Sequence, residues 1–314
     1  MPRKDLFGNQ VDEFRSALER YGVWPTTVWS VDHSDPVTRK LKEQIGDVGS
    51  SRILRAGGQS YRGVGLDPGE RRRRGNVSQW QTRAGAFSQP TNDLSVYRGK
   101  ITASIFSPAV AAWILNCFAP PSGTCFDPFA GGGTRAIMAA KAGLRYLGVE
   151  LRAEEVEGVR ERVRRAGAEA SVEIVCGDAR ECRGIPDRSA DFLITCPPYW
   201  TLEQYGGGPS DLSMFEDYGE FVRELGRVVG RTATILKPGA VSCWVVGLHR
   251  KRDGSLAPLH HDVARLHEAH GFSFFEEVVL AMKNNGAIQR VGNFDKGSRR
   301  LVRVHEYVLC FRAR

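Results

Sequence analysis

The chain has 314 residues, a formal net charge of +8, 41% hydrophobic and 25% charged residues, enough length and apolar content for a full globular core plus an extension. No apolar run nears the roughly 18 residues of a bilayer span, and the N-terminus lacks a signal-peptide core, so a cytoplasmic protein with no membrane partner is expected. Seven cysteines, at 117, 125, 176, 182, 196, 243 and 310, contain no Cys-x-x-Cys pair, which argues against zinc ligation or a disulfide framework and for reduced, buried thiols.

In chain order, residues 12–21 predict a short amphipathic helix closed by Gly22. Trp24-Pro25-Thr26-Thr27-Val28-Trp29 follows as a lid or packing strap. A second helix over 36–45 would be capped by Ser34 or Asp35. Between Ser50 and Lys100, nine arginines and one lysine face Asp67, Glu70 and Asp93, a local charge of +7. Arg71, Arg72, Arg73 and Arg74 lie in this stretch, with Tyr61, Trp80 and Tyr97 nearby and almost no hydrophobic periodicity. It reads as a long mobile basic loop suited to phosphate contact and groove insertion, with a solvated linker as the alternative.

Beyond residue 108 the pattern changes. Residues 109–118 read as a helix and 124–127 as a strand. Strands near 146–150, 172–176 and 191–195 then alternate with helices, the signature of a parallel α/β sheet. Residues 217–236 predict a long helix ending at Lys237-Pro238-Gly239, followed by a β-prone run over 240–247. A helix over 263–270 precedes strands over 272–280 and 304–311, which could pair as an antiparallel edge. Their connector carries Lys283, Asn284, Gln289, Arg290, Arg299 and Arg300, side chains suited to base edges and phosphates. A solvent-exposed hairpin tip is the equal alternative.

Two islands carry chemistry. Phe126-Asp127-Pro128-Phe129-Ala130-Gly131-Gly132-Gly133-Thr134 follows an apolar run, and its glycines let a ligand approach the backbone at a helix N-terminus. Taken alone the loop also suits a dinucleotide, with Ala136 in the third-glycine place; no Gly-Lys-Ser or Gly-Lys-Thr follows, which excludes a P-loop. Thr195-Cys196-Pro197-Pro198-Tyr199-Trp200 is rarer: two prolines fix a strand end and leave carbonyls outward beside an aromatic ring, a geometry for gripping an amino group on a flat base.

These islands resemble those of the S-adenosylmethionine-dependent DNA amino methyltransferases, whose donor motif is D-P-F-x-G-x-G-T and whose catalytic motif is Asp, Asn or Ser followed by Pro-Pro and an aromatic residue. The resemblance covers about residues 97–312 and implies a Rossmann-like methyltransferase fold, α/β, with a mostly parallel sheet and an antiparallel edge strand. The expected domains are an irregular basic N-terminal extension over 1–96 and a methyltransferase domain over 97–314. The resemblance makes S-adenosyl-L-methionine the cofactor. It implies cofactor contacts from Ser104 and Phe106 in the segment before the donor motif, from Asp127, Phe129, Ala130, Gly131, Gly133 and Thr134, from Glu150 to the ribose with Leu151 beside it, and from Asp178 with Ala179 to the adenine. Independently, Glu150 lies 17 residues beyond Gly133, the return distance of a βαβ unit; a solvated carboxylate at a helix start is the other reading of that residue.

Cys196, Pro197, Pro198 and Tyr199 are the expected catalytic residues. The Pro197 carbonyl and the residue at 196 would accept the amine N–H groups, and Tyr199 would stack on a flipped base. Cysteine departs from the family pattern at 196. Its small, serine-like size favours cytosine N4 over adenine N6, and a C5 methylation using the thiol as nucleophile is a weaker alternative. The flank 202–213 reads as a mobile glycine-rich shelf resembling phage and prophage members, with Glu203 and Tyr205 able to line the pocket. The order of motifs leaves sequence reading to the N-terminal hundred residues and the loop 282–301. Double-stranded DNA is the expected partner, with room for a cognate restriction endonuclease. An RNA base amine methyltransferase and a non-catalytic DNA-binding relic are the competing readings.

Overall fold

The computed structural model describes residues 27–31, 40–41, 106–251, 253–282 and 299–314. The expected helix at 12–21, Arg71 to Arg74, Ser104, Lys283, Asn284, Gln289 and Arg290 lie outside them. The described strands β1 (Val28–Val31), β2 (Thr124–Asp127), β3 (Arg145–Glu150), β4 (Val172–Cys176), β5 (Ala190–Thr195), β6 (Leu236–Val246), β9 (Ser273–Met282) and β10 (His305–Arg312) form one eight-stranded sheet of order β1-β9-β10-β6-β5-β2-β3-β4. The short strands β7 (His249–Arg250) and β8 (Leu256–Ala257) pair separately. All neighbours in the large sheet run parallel except β10, which is antiparallel to both β6 and β9. This is a Rossmann-like methyltransferase fold.

Alternation along each strand divides the core. Cys125, Tyr146, Phe192, Ile194, Cys243 and Val308 face one buried cluster, while their neighbours Phe126, Leu147, Leu193, Trp244 and Leu309 face another. The first cluster is closed by α1 (Pro108–Phe118), α2 (Thr134–Lys141) and α3 (Ala153–Arg165); the second by α4 (Tyr218–Ile235) and α5 (Leu259–Ala269). Pro108 opens α1 at a position where its missing N–H costs nothing. The alanine-rich α1 and α2 pack closely because their small side chains let backbones approach; α4 starts at Asp217, whose side chain accepts from the Glu220 N–H.

The structure differs from the sequence reading in three places. The antiparallel pair β9 and β10 is present, but the outermost strand is β1, added parallel to the end of β9 with Thr27 O accepting from Val279 N at 2.8 Å. Trp29, read as part of a strap, is 1% exposed and packs on Trp113 and Phe118 of α1, which is what brings this distant segment to the sheet. Finally, the helix expected over 217–236 runs Tyr218–Ile235, and Lys237-Pro238-Gly239 after it belongs to the next strand rather than to a break before it. These three residues form a bulged entry to β6 between the pairs Ala190 with Leu236 and Phe192 with Val241, where Gly239 takes a φ of +82° and donates to Ala313 O. All seven cysteines are free; Cys125, Cys182, Cys243 and Cys310 are buried and Cys176 is exposed. No described helix is long and apolar enough to cross a membrane.

Candidate active site

The chain runs from β2 through α2 to β3 on one side, then returns through β5 to the other side of β2. The carboxyl ends of β2 and β5 therefore flank the switch point of the sheet, the place where open α/β folds bind ligands. The two sequence islands follow β2 and β5. A cavity of about 280 Å³ opens there, and both islands line it.

One end of the cavity is backbone and carboxylate. Gly131 and Gly133 take φ of +52° and +85°, and Gly133 starts α2 without a side-chain cap, leaving N–H groups directed outward. A Cβ on Gly133 would meet Val159 Cγ1 at 3.0 Å, so the loop lies directly on α3. Arg162 of α3 donates to Gly132 O at 2.8 Å and is itself paired with buried Glu155. Glu150 ends β3 at 9% exposure; its Oε2 accepts from Gly131 N at 3.1 Å and its Oε1 from Arg152 N at 3.0 Å. Burial pushes this carboxyl above its ordinary value, against the pull of Arg152. Each oxygen keeps a lone pair for a further donor.

Asp127 stands apart from the other expected cofactor residues. It is fully buried and does not line the cavity. Its Oδ1 accepts from Phe129 N and Thr195 Oγ1 at 3.0 and 2.6 Å, and its Oδ2 from Arg135 Nε and Tyr146 Oη at 2.6 and 2.7 Å. Asp127 thus ties β2, α2, β3 and β5 together beneath the cavity and corrects its reading as a cofactor contact: the strand end turns this carboxylate inward. Arg135, which the sequence reading passed over, fills the space above it, donating to Phe129 O at 2.5 Å with its guanidinium 4.7 Å from the Phe106 ring centroid. Asp178 lines the cavity, but its carboxylate is held by Arg180, which also reaches Glu224 of α4 at 2.5 Å. Burial raises the Asp178 carboxyl, and the Arg180 hydrogen bonds outweigh it, leaving it below its ordinary value.

The other end carries the Pro-Pro turn. Trp200 adopts a left-handed φ of +56°, strained for a bulky side chain, and its indole donates to Phe215 O at 2.8 Å. That turn directs Tyr199 into the cavity. Gly247, just past β6, leaves the space its ring occupies. Cys196 Sγ lies 3.3 Å from the Tyr199 hydroxyl, and burial pushes the thiol up to about 12 despite Arg135. Glu203, Tyr205 and Glu306 complete this wall; the Tyr205 hydroxyl donates to Glu203 at 2.5 Å. The shelf at 202–213 is held by buried Asp211, which accepts from Gly207 N, Ser213 N and Ser213 Oγ.

Phe106, Phe129, Ala130, Gly131, Gly133, Thr134, Glu150, Leu151, Asp178 and Ala179 thus meet Cys196, Pro197, Pro198 and Tyr199 in one cavity. Arg299 and Arg300 are exposed and do not line it.

Residues 4–161 match the family model described as DNA methylase, and residues 127–242 match one described as a methyltransferase domain. The chain belongs to the DNA methylase family. Among curated relatives, a tRNA (guanine(10)-N2)-dimethyltransferase from Methanothermobacter thermautotrophicus is 32% identical over 106 residues, 33% of this chain and 31% of that protein. The match therefore spans about a third of that relative's length. Among solved structures, TrmN from Thermus thermophilus is 18% identical over 67% of this chain and 49% of its own, with a TM-score of 0.46. A protein provisionally named as a DNA modification methylase, also from Thermus thermophilus and in complex with S-adenosyl-L-methionine, is 31% identical over 43% of this chain and 53% of its own, with a TM-score of 0.34.

The cofactor of this family is S-adenosyl-L-methionine. The residues present fit it. Glu150 would offer lone pairs to ribose hydroxyls, the glycine loop would offer open backbone, and Ser107 lines the cavity with a buried Oγ that has no partner among the described residues. Ser107 is the N-cap of α1 and makes no capping bond, so its hydroxyl remains available to the amino-acid end of the cofactor.

Proposed function

We propose that this chain transfers a methyl group to an exocyclic base amine of double-stranded DNA, cytosine N4 ahead of adenine N6. The observation that carries the reading is the meeting of the Pro197-Pro198-Tyr199 turn with the Gly131 to Gly133 loop and Glu150 in a single cavity. S-adenosyl-L-methionine, when bound, supplies an electrophilic methyl group. The chain's own residues do the rest. Glu150 and Ser107 hold two ends of the donor. The Pro197 carbonyl accepts an amine N–H, drawing the nitrogen lone pair out of conjugation with the ring, and Tyr199 offers a flat surface to the flipped base. Alignment of two bound reactants supplies much of the rate.

The small side chain at 196 supports cytosine N4. A thiol pushed up to about 12 is poorly suited to act as the C5 nucleophile. The duplex would be gripped by the basic stretch 50–100 and by the connector after β9, which leaves the sheet at Met282 and returns by Glu306, both cavity residues. A second reading, transfer to an RNA base amine, is favoured by the relative named as a tRNA dimethyltransferase.

Mass spectrometry of nucleosides from the DNA and RNA of expressing cells tests the proposal, beside a Pro197→Ala, Tyr199→Ala control. N4-methylcytosine in DNA, absent from the control, is expected. N6-methyladenine would change the base, a modified ribonucleoside with unmodified DNA would move the substrate to RNA, and 5-methylcytosine lost in Cys196→Ser would overturn amine transfer.

A further inference from the structure

The family motif places an oxygen acceptor at position 196, and this chain has a thiol there. Sulfur is a weak acceptor. Burial pushes the Cys196 thiol up to about 12, so it stays protonated, and its Sγ is already engaged with the Tyr199 hydroxyl 3.3 Å away, where either atom can donate. The Tyr199 hydroxyl also acts on the Glu306 carboxylate, pulling its pKa down, and both line the same cavity. Glu306 sits on β10, the one antiparallel strand of the sheet, opposite Leu280. It lines the same cavity as Pro197 and Gly131, amid the apolar side chains of Val245, Leu280 and Met282.

Resting on the amine-transfer reading, we propose that Glu306 accepts the N–H of the substrate amine, the role the family motif gives to position 196, and also takes its proton. As the bond from nitrogen to the methyl carbon forms, the bond from that carbon to sulfur breaks and its electron pair stays on sulfur. The nitrogen becomes cationic, and its proton passes to the Glu306 carboxylate and then to solvent. Burial and the charge of Glu203 hold the Glu306 carboxyl above its ordinary value, while Tyr199 pulls it down. A base of raised pKa accepts such a proton more effectively. Among the described residues, the groups facing it are Glu203, Tyr199 and Cys196, with Tyr205 on Glu203 and Arg135 acting on Cys196, while β6 and β9 line the cavity with the apolar Val245, Leu280 and Met282.

The test uses the full chain, tritiated S-adenosylmethionine and two probes, unmethylated plasmid DNA and total tRNA. Glu306→Gln is expected to lower kcat by about 10²- to 10⁴-fold, with the calorimetric Kd for S-adenosylmethionine unchanged. Wild-type kcat should rise with pH through an acid limb lying above the ordinary carboxylate range, and the limb should vanish in Glu306→Gln. Adding Cys196→Asp to Glu306→Gln should recover about tenfold or more, by restoring an acceptor where the motif has one. Three results overturn the assignment: a Glu306→Gln rate equal to wild type, loss of cofactor binding in step with kcat, or no recovery in the double variant. Amine methylation of tRNA but not DNA refutes the DNA reading and leaves Glu306 to be judged on tRNA by the same criteria. Absence of amine methylation on both probes refutes both.

Discussion

Gly247 shows how a missing side chain can serve a present one. A Cβ at that position would lie 2.5 Å from Tyr199 Cε2 and 2.7 Å from Cδ2, closer than any real contact allows. The neighbouring Trp200 cannot yield, since its backbone is already strained and its ring is wedged edge-on between Tyr218 and His249. Gly247→Ala should therefore push the Tyr199 ring out of place. A displacement of that size near a reacting group costs about 10²-fold in kcat, whereas overpacking at one methyl costs about 1–3 kcal/mol of stability. Steady-state kinetics beside cofactor calorimetry checks this: kcat should fall while cofactor affinity holds, and an unchanged kcat would show that Tyr199 has no positional role.

At the scale of elements, α5 is fastened to the sheet through His267. Its ring stacks on Phe311 of β10 at 3.7 Å and 6°, and meets Trp244 of β6 and Phe272 edge-on at 4.9 Å each. Nδ1 lies 2.7 Å from Val263 O, and burial lowers the imidazole from 6.5 to about 3. A folded-state pKa below the unfolded one means that the contribution to stability is whole above pH 6.5 and is lost as pH falls toward 3. The steepest slope is about 1.4 kcal/mol per pH unit. His267→Phe keeps the stacking and removes the titration. Urea midpoints at pH 7 and 4.5 should converge in the variant relative to wild type; equal drops in both would place the acid sensitivity elsewhere.

Across the whole molecule, Asp127 joins the two halves of the site. It holds the start of the glycine loop through Phe129, α2 through Arg135, β3 through Tyr146 and the end of β5 through Thr195. The Asp127 and Arg135 side chains are 0% and 6% exposed, so removing the carboxylate strands a buried cation. Asp127→Ala should cost about 3–5 kcal/mol, read from chemical unfolding, and should weaken S-adenosylmethionine binding although Asp127 does not line the cavity. A loss under about 1 kcal/mol, the range of a surface pair, would show that the four bonds are not cooperative.

The strands β2 to β5, the helices between them and both chemical islands are legible in the sequence because their signals are local: alternation, helical periodicity, glycine and proline at turns, an acidic residue at a strand end. Asp127 and Glu150 carry the same local signal, an acid closing an apolar strand, and differ only in where the strand ends deliver them, one into the core and the other into the cavity. Arg135 reads as an ordinary helix-start residue until the cavity forms around it, and Ser107 reads only as one position of the segment before the donor motif. Glu306 belongs to no motif, and Gly247 gains its purpose from a ring 48 positions earlier. Val28 to Val31 join the sheet through contacts across a long separation, Trp29 against Trp113 and Phe118 and the backbone ladder to β9. The parallel α/β frame and the two motifs are written in the order of residues, since neighbours along the chain specify them. Which side chains face the cavity, and which acid can reach the amine, is set by folding, because that choice depends on packing between segments remote in the chain.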